Sequence, residues 1–491
     1  MSEESQPDNT SSTKSFGKDV GKLVSGTIVT AIIGFLLLPI ITRIFNPDIY
    51  GTFSIFISIV GVFSVIACMR YEMAIVLPKK DIDAGAILLG CCISLFGVSS
   101  IALFIIVLFG SEISTLLNAP EIADYLIFVP LAIFIDGLYQ ALRYWNTRKM
   151  RFGVQATTQI LQSLSGSGLK VSFGFIGWIN TGSLIAGQLI GNGLGALIIL
   201  FTILKNDFHL LRDSCKAHLI RQQLTRYKKF PLIDMWATLL NVLSWNLPVI
   251  LLSMFFSTTI TGLYALGFTI LQIPMSLIGG SIGQVYFQRG AIAHKEGKLG
   301  HLLEDVIELL ALLTFLPLCF IMVLGGDIFG LVFGGEWIEA GIYCQILAVW
   351  GIIWFITTST STTTLSIVEK QELYLRFTIL NLITRVVALL VGGWYQNIYL
   401  ALWLFVIFGM ITYGYLLYLM FSQSKASIFN VLKNIQAYLI LIFGVGITFS
   451  IFNYIFRVNI ILIIVLGIIV SIIYYYILYK SNEKIKAYLP F

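Results

Sequence analysis

Charged residues are scarce in this 491-residue chain, at 11%, whereas 57% of its residues are hydrophobic. Soluble domains carry about 25% charged residues, so the composition excludes an ordinary soluble fold. Cysteine and histidine are also rare, with six and four residues, and no C-x-x-C pair or Cys/His spacing typical of a metal site occurs. We therefore expect neither a metal site, nor a disulfide framework, nor a cofactor.

Other absences narrow the range of activities. The first twenty residues are polar and Ser-rich and lack an apolar core, so they predict a disordered tail without a cleavable signal peptide. No Gly-rich phosphate motif precedes a helical segment, and the outer gaps are too short for a catalytic domain. The net charge of +6 is spread over many gaps. We therefore expect neither an enzyme nor a nucleic-acid-binding protein.

What the chain does contain is fourteen apolar segments, each near the length of about twenty residues that a helix needs to cross a bilayer. They lack the alternation of apolar and polar residues typical of barrel strands. We predict an all-α integral membrane protein with fourteen transmembrane helices. The segments are 23–41, 51–69, 86–109, 125–142, 154–178, 183–204, 233–256, 262–287, 306–324, 342–366, 377–394, 399–421, 437–456 and 460–479.

Lys and Arg are distributed unevenly among the gaps between these segments. Of the 31 Lys and Arg residues, 27 lie in alternate gaps, and the other gaps contain only Arg43 and Arg457. Cytoplasmic loops of membrane proteins hold an excess of Lys and Arg. We therefore expect a multi-pass protein of the cell membrane with both termini cytoplasmic, whose basic loops attract anionic membrane lipids.

Two short motifs recur at offsets of 211 and 215 residues. FNPDIYG, ending at Gly51, resembles FSTTITG, ending at Gly262, and GSEISTLL from Gly110 aligns with GGDIFGLV from Gly325. Helices one to six and seven to twelve are therefore expected to be parallel copies of one six-helix lobe. The predicted organisation is a tail (1–20), a first lobe (21–204), a cytoplasmic linker (205–231), a second lobe (232–421) and two extra C-terminal helices (422–491).

Two cations lie inside apolar segments. Lys170 in the fifth span and Arg385 in the eleventh are 215 residues apart, which is the repeat offset. Each costs about 2.5–3.5 kcal/mol on insertion scales, so we expect it to face a water-filled cavity or a paired anion. Two equivalent cations are expected to converge on a shared cavity that holds an anionic group. The alternative for Lys170 is a structural ion pair with Asp136, whose counterpart near Arg385 is Gly351.

Four segments resemble the polysaccharide-flippase family, the O-antigen and capsule repeat-unit exporters of the superfamily that includes multidrug and toxin extrusion antiporters. They are RYEMAIVLPKK (70–80), ALRYWNTRKMRF (141–152), RYKKFPL (226–232) and GEWIEAGIYCQILAVW (335–350). The resemblance implies two six-helix lobes in a V around a cationic cavity, as in the multidrug and toxin extrusion fold. It also implies a substrate, an oligosaccharide on a polyprenyl diphosphate that is turned from the inner to the outer leaflet.

The resemblance also suggests roles for individual residues. Lys170 and Arg385 would hold the diphosphate by alternating access of the lobes, with Arg70 and Arg143 as first contacts on the cytoplasmic side and Asp136 beside Lys170. Candidate partners are the lipid-linked oligosaccharide, membrane lipids and other proteins of polysaccharide assembly. Small polar residues are candidates for sugar contacts, namely Gln159, Gln162, Ser163, Gln188 and Asn192.

Two other functions stay open. A drug or small-solute antiporter of the same superfamily is expected to carry acidic residues deep in the first lobe, where this chain has only Asp136. A membrane glycosyltransferase or polymerase of polysaccharide assembly would need a large outer loop with catalytic residues. The outer gaps of this chain are short, which favours a transporter.

Overall fold

The computed structural model describes residues 9–274, 279–456 and 458–481, and this part of the chain is almost entirely helical. Seventeen α-helices follow one another in it, joined by short turns. They are α1 (Asn9–Ile44), α2 (Pro47–Ala67), α3 (Asp81–Leu116), α4 (Ala123–Leu126), α5 (Val129–Arg148), α6 (Phe152–Phe175), α7 (Thr181–Ser214), α8 (Ala217–Arg226), α9 (Met235–Phe255), α10 (Thr258–Pro274), α11 (Gly280–Lys295), α12 (Leu299–Phe333), α13 (Ile338–Ile367), α14 (Gln371–Trp394), α15 (Ile398–Ser424), α16 (Ile428–Ser450) and α17 (Ile460–Ser481).

Eleven helices of the described residues are long and apolar enough to cross a membrane, and α5 makes a twelfth if the short helical segment Pro120–Leu126, bent from it by 56°, belongs to the same span. This number is below the predicted fourteen. The fifth predicted span is α6, whose many polar residues reduce its apolar character. The eighth, 262–287, includes residues 275–278, which lie outside the described residues. The chain is a helical multi-pass membrane protein.

Two segments expected to lack transmembrane structure contain helix. The first helix, α1, begins at Asn9, inside the segment expected to be a disordered tail, while residues 1–8 lie outside the described residues. In the expected linker, α7 continues to Ser214 and the short helix α8 follows at once. The polar connection is therefore built largely from helix, because Lys, Leu, Arg and Gln are good helix formers.

Contacts divide the chain into two compact units. The first unit consists of Met1–Phe45 and Ile55–Val242, and the second of Asn46–Ser54 and Leu243–Phe491. The short segment Asn46–Ser54 thus belongs to the second unit although the first unit flanks it on both sides.

The two copies of the first repeated motif touch each other inside the second unit. A Cβ atom on Gly51 would overlap the carbonyl oxygen of Thr258, and one on Gly262 would overlap that of Pro47. The Thr258 hydroxyl also donates a hydrogen bond to the carboxylate of Asp48. The glycine that ends each motif is therefore required for the close approach of α2 and α10.

Candidate functional site

A polar cavity of about 400 Å³ lies within the first unit, between α1, α5, α6 and α7. Its lining includes all five small polar residues that the sequence suggested for sugar contacts: Gln159, Gln162, Ser163, Gln188 and Asn192. Tyr139 and Arg143 of α5 and two threonines of α1 complete its polar surface. The cavity therefore offers amide, hydroxyl, phenol and guanidinium groups, which together donate and accept hydrogen bonds.

The amide side chains of the cavity are held by a hydrogen-bond network between α6 and α7. Gln162 Nε2 and Gln188 Nε2 donate to Asn192 Oδ1 over 2.7 and 3.2 Å. Asn192 Nδ2 in turn donates to Asp136 Oδ1 over 2.7 Å, and Lys170 Nζ donates to Gln188 Oε1 over 2.7 Å. A path of amide hydrogen bonds therefore connects the buried ammonium group to the carboxylate of α5, and it fixes which face each amide turns to the cavity.

Glycines bring α6 and α7 close enough for this network. A Cβ atom on Gly191 would lie 2.7 Å from the Cα of Gly166, and one on Gly187 would lie 2.6 Å from the Cγ of Lys170. Both glycines belong to the G-x-x-x-G series of α7, a spacing that allows helices to approach closely in membranes. The missing side chains leave the room that the Lys170 side chain occupies, so that it is only 9% exposed.

Arg143 is the cation that lines the cavity. Its side chain is half-buried, and within the described residues its guanidinium forms no ion pair; its nearest aromatic neighbour is the Tyr144 ring, 6.0 Å away. Gln155 Nε2 donates to its backbone carbonyl over 3.0 Å, which ties α6 to this turn of α5. A guanidinium without a carboxylate, surrounded by neutral polar groups, is suited to bind an anionic ligand such as a phosphate.

Arg70, expected to be a first contact for substrate, is held by carboxylates and does not line the cavity. Its Nε lies 2.9 Å from Asp234 Oδ2 and its Nη1 lies 3.2 Å from Glu72 Oε1. Burial raises the pKa of Glu72 above its ordinary value, against the opposing effect of Arg70. The geometry gives Arg70 a structural role that joins the turn after α2 to the start of α9.

Arg385 is buried in an aromatic cage of the second unit. Its guanidinium carbon lies 4.3 Å from the ring centroid of Trp245, 5.1 Å from that of Phe405 and 5.5 Å from that of Trp350. The residue is only 3% exposed, and its Nη2 has no hydrogen-bond acceptor within the described residues. The expectation of a water-filled surrounding is thus not met here, because π faces rather than water or a carboxylate surround the charge.

A proline explains the hydrogen bond that Arg385 makes. Its Nη1 donates to the backbone carbonyl of Ser244 over 2.7 Å. In a regular helix this carbonyl would accept from the backbone N–H four residues later, but that residue is Pro248, inside α9. Arg385 therefore satisfies a carbonyl that the proline leaves free, in a buried place where an unpaired polar group is costly.

Sequence reasoning singled out the amides and cations but missed several members of both sites. Tyr139, Thr27 and Ser167 also line the cavity, and nothing in their spacing distinguished them from residues that face lipid. A signal for the cage existed in the pairing of Pro248 with a buried Arg. No group of three or more His, Cys, Asp and Glu side chains is placed to hold a metal in the part of the chain that the structure describes.

Known proteins resemble the chain in sequence and in fold. Residues 40–342 match the model of the family described as polysaccharide biosynthesis protein. The succinoglycan biosynthesis transport protein ExoT of Rhizobium meliloti (strain 1021) is 21% identical over 342 residues, which are 68% of this chain and 66% of that protein. The match thus spans slightly less than two thirds of that relative.

Two solved structures show the fold. The lipid II flippase MurJ, in an inward closed conformation, has a TM-score of 0.72 at 16% identity, covering 94% of this chain and 99% of its own. An outward-facing multidrug resistance MATE family transporter has a TM-score of 0.56 at 13% identity, covering 83% and 96%. At such identities the likeness concerns the fold. The family match extends over more than half of the sequence, and the chain belongs to the polysaccharide biosynthesis protein family.

Proposed function

We propose that this protein transports a polyprenyl-diphosphate-linked oligosaccharide from the inner to the outer leaflet of the cell membrane by alternating access. The observation that carries the proposal is the cavity of the first unit, where Arg143 lies among neutral amide and hydroxyl groups. A diphosphate requires a cation, and sugar hydroxyls require neutral donors and acceptors. Membership of the polysaccharide biosynthesis family and the relative named as a succinoglycan transport protein support this substrate class.

The proposal gives each candidate residue a role. Arg143 contacts the diphosphate, and the amides of Gln159, Gln162 and Gln188 contact sugar. Lys170 positions Gln188, since it donates to that side chain over 2.7 Å. Asp136 positions Asn192 in the same way.

The remaining candidate cations act elsewhere in the proposal. Arg70 and Arg385 stabilise helix contacts and do not touch the substrate, because carboxylates hold the first and aromatic rings the second. The lobes 21–204 and 232–421, fourteen membrane crossings and cytoplasmic termini belong to the same proposal. They are supported by the repeated motifs and by the alternation of Lys and Arg along the chain.

The proposal is tested by changing Arg143 in cells that depend on this protein for a surface polysaccharide. We expect Arg143→Gln to lower export by about tenfold or more, which corresponds to one charged hydrogen bond, while Arg143→Lys retains part of it. The lipid-linked intermediate should accumulate at the same time. The matched control is Arg212→Gln, which removes an exposed cation of α7. Normal export by Arg143→Gln at normal protein level would reject the proposal.

One observation favours a second candidate, a small-solute antiporter. Asp136 is a carboxylate joined through Asn192 to a polar cavity, and a carboxylate of this kind is a common site of ion coupling in transporters. The two functions differ in their response to Asp136→Asn. A flippase in which Asp136 only orients Asn192 keeps most of its export, since an amide oxygen still accepts that hydrogen bond, whereas an antiporter coupled through Asp136 loses ion-driven solute transport.

A further inference from the structure

A second groove in the first unit lies between α3 and α8 and shares no lining residue with the polar cavity. Its volume is about 470 Å³. The surface is mainly apolar, formed by Ile93 of α3 with Ile220 and Leu224 of α8, and two cations, Arg221 and Lys228, lie on it. The function proposed above does not use this groove.

The groove exists because α8 presents one face to α3. Its lining positions 217, 220, 221, 224, 225 and 228 follow the spacing of a single helical face. The hydroxyl of Tyr71 donates to the backbone carbonyl of Leu224 over 3.1 Å. A Cβ atom on Gly90 would lie 2.7 Å from the Leu224 Cδ2, so α8 sits tightly against α3 at this point. The groove is therefore a fixed feature of the packing of these two helices.

The apolar wall of the groove is on a membrane-spanning helix. Ile93 is 62% exposed and belongs to α3, one of the helices apolar enough to cross the bilayer. Apolar surface of this kind on a spanning helix faces acyl chains. The occupant must therefore have a hydrocarbon part.

The charges of the groove point to an anionic headgroup. Arg221 and Lys228 are exposed, neither forms an ion pair within the described residues, and no described carboxylate lines the groove. They lie seven residues apart on one helical face, or about 10 Å along an axis at 1.5 Å per residue. Two unpaired cations beside an apolar wall complement a molecule with an acyl chain and a phosphate, and a guanidinium with an ammonium group is a common phosphate site.

We propose that this groove is a binding site for an anionic phospholipid. One acyl chain lies against Ile93, Ile220 and Leu224, and the phosphate lies between Arg221 and Lys228. The bound lipid fills the space between α8 and the spanning helix and so anchors α8 at the membrane interface. The site is specific for the headgroup charge, because the apolar wall accepts any acyl chain.

The test measures lipid binding to the purified full-length protein by native mass spectrometry. The probes are phosphatidylglycerol and phosphatidylcholine with identical acyl chains. We expect one phosphatidylglycerol to bind more tightly than phosphatidylcholine. The double variant Arg221→Gln/Lys228→Gln should weaken that binding by about thirtyfold, which is the value for two cations near an anionic surface. Equal affinity of the two lipids, or an unchanged affinity in this variant, would overturn the proposal.

Two further variants separate a specific site from general charge and from misfolding. Arg212→Gln/Arg226→Gln removes the same charge from exposed positions outside the groove and should keep the tight site. Arg221→Lys/Lys228→Arg keeps both cations and should bind as the unchanged protein does. A loss of the tight site in either of these variants would contradict the proposal.

Two competitors exclude other occupants. Glycerophosphate, which has the headgroup without the chains, should not displace phosphatidylglycerol. A polyprenyl phosphate at equal mole fraction should not displace it either. Displacement by the first would assign the groove to free phosphates and displacement by the second to the carrier lipid, and either result overturns the proposal.

Discussion

The two units hold cations at equivalent repeat positions in opposite ways. In the first unit, Lys170 of α6 donates to Gln188 over 2.7 Å, in a network that reaches the polar cavity. In the second unit, Arg385 of α14 lies 4.3 Å from the ring centroid of Trp245 in an aromatic cage. A cation inside a membrane segment is therefore not by itself a sign of substrate binding, and its neighbours decide what it does.

The side chain present in each unit matches its surroundings. A guanidinium is planar and weakly hydrated, so it stacks well on aromatic faces, whereas an ammonium group is a compact charge that needs oxygen acceptors. The amide oxygen of Gln188 supplies such an acceptor, while three rings and one backbone carbonyl surround Arg385. The repeated position has thus been adapted to two different tasks, one at a cavity and one in a helix contact.

The largest effect is expected for Arg385→Met. A buried charge can often be replaced by an apolar side chain at little cost, but here the carbonyl of Ser244 would be left without its donor. The lost cation–π contact and the unpaired carbonyl should together lower the free energy of unfolding by about 3 kcal/mol. Thermal unfolding of the purified protein in detergent measures this change.

The proline gives this prediction its control. Pro248→Ala restores a backbone N–H four residues after Ser244, so the double variant Arg385→Met/Pro248→Ala should recover part of the lost stability. A double-mutant cycle gives the coupling between the two positions. Simple additivity of the two changes would show that Arg385 does not serve the carbonyl freed by Pro248.

The sequence predicted the helical membrane class and the polar residues of the cavity because both leave local signals. Apolar segments of spanning length indicate helices, and polar residues inside such segments are rare enough to single out Gln188 and Asn192. Membership of the polysaccharide family was also predicted, from four motifs, and is confirmed by the match over residues 40–342. The partners of each cation depend on packing between distant helices and were not readable in the same way.

Arg385 shows the limit of the sequence argument. Its rings come from α9, α13 and α15, which are far apart along the chain, and no local pattern brings them together. The repeat offset correctly indicated an equivalent position but carried no information on whether water, a carboxylate or an aromatic ring would face it. Similarly, Arg70 looked like a free loop cation until Asp234 was placed beside it.

A smaller effect is expected for Gly191→Leu, which tests whether close helix packing maintains the network of the first unit. A Cβ atom at this position would lie 2.7 Å from the Cα of Gly166, and backbone cannot move away cheaply. We expect a loss of about 2 kcal/mol in the free energy of unfolding. The control on the same helix is Gly193→Leu, where the nearest atom, Ile135 Cδ1, is 3.9 Å away. Equal losses in both variants would show that the tight α6–α7 contact is not what matters.

The smallest change in stability is expected for Lys170→Met, and this variant tests the contrast between the units most directly. It removes the donor to Gln188 Oε1, which should lower the free energy of unfolding by about 1 kcal/mol. Export of the polysaccharide should fall further than stability does, because Gln188 then no longer presents a fixed face to the cavity. In the second unit the order is reversed, with Arg385→Met affecting stability more than export per molecule of folded protein.

A matched double variant completes this last test. Lys170→Met/Gln188→Leu replaces both partners by apolar groups, which is often nearly neutral for stability, so it should regain stability without regaining export. Both quantities are measured on the same preparations, by thermal unfolding in detergent and by export normalised to protein level. If Lys170→Met leaves export unchanged, Lys170 stabilises helix packing as Arg385 does, and the functional contrast between the two units disappears.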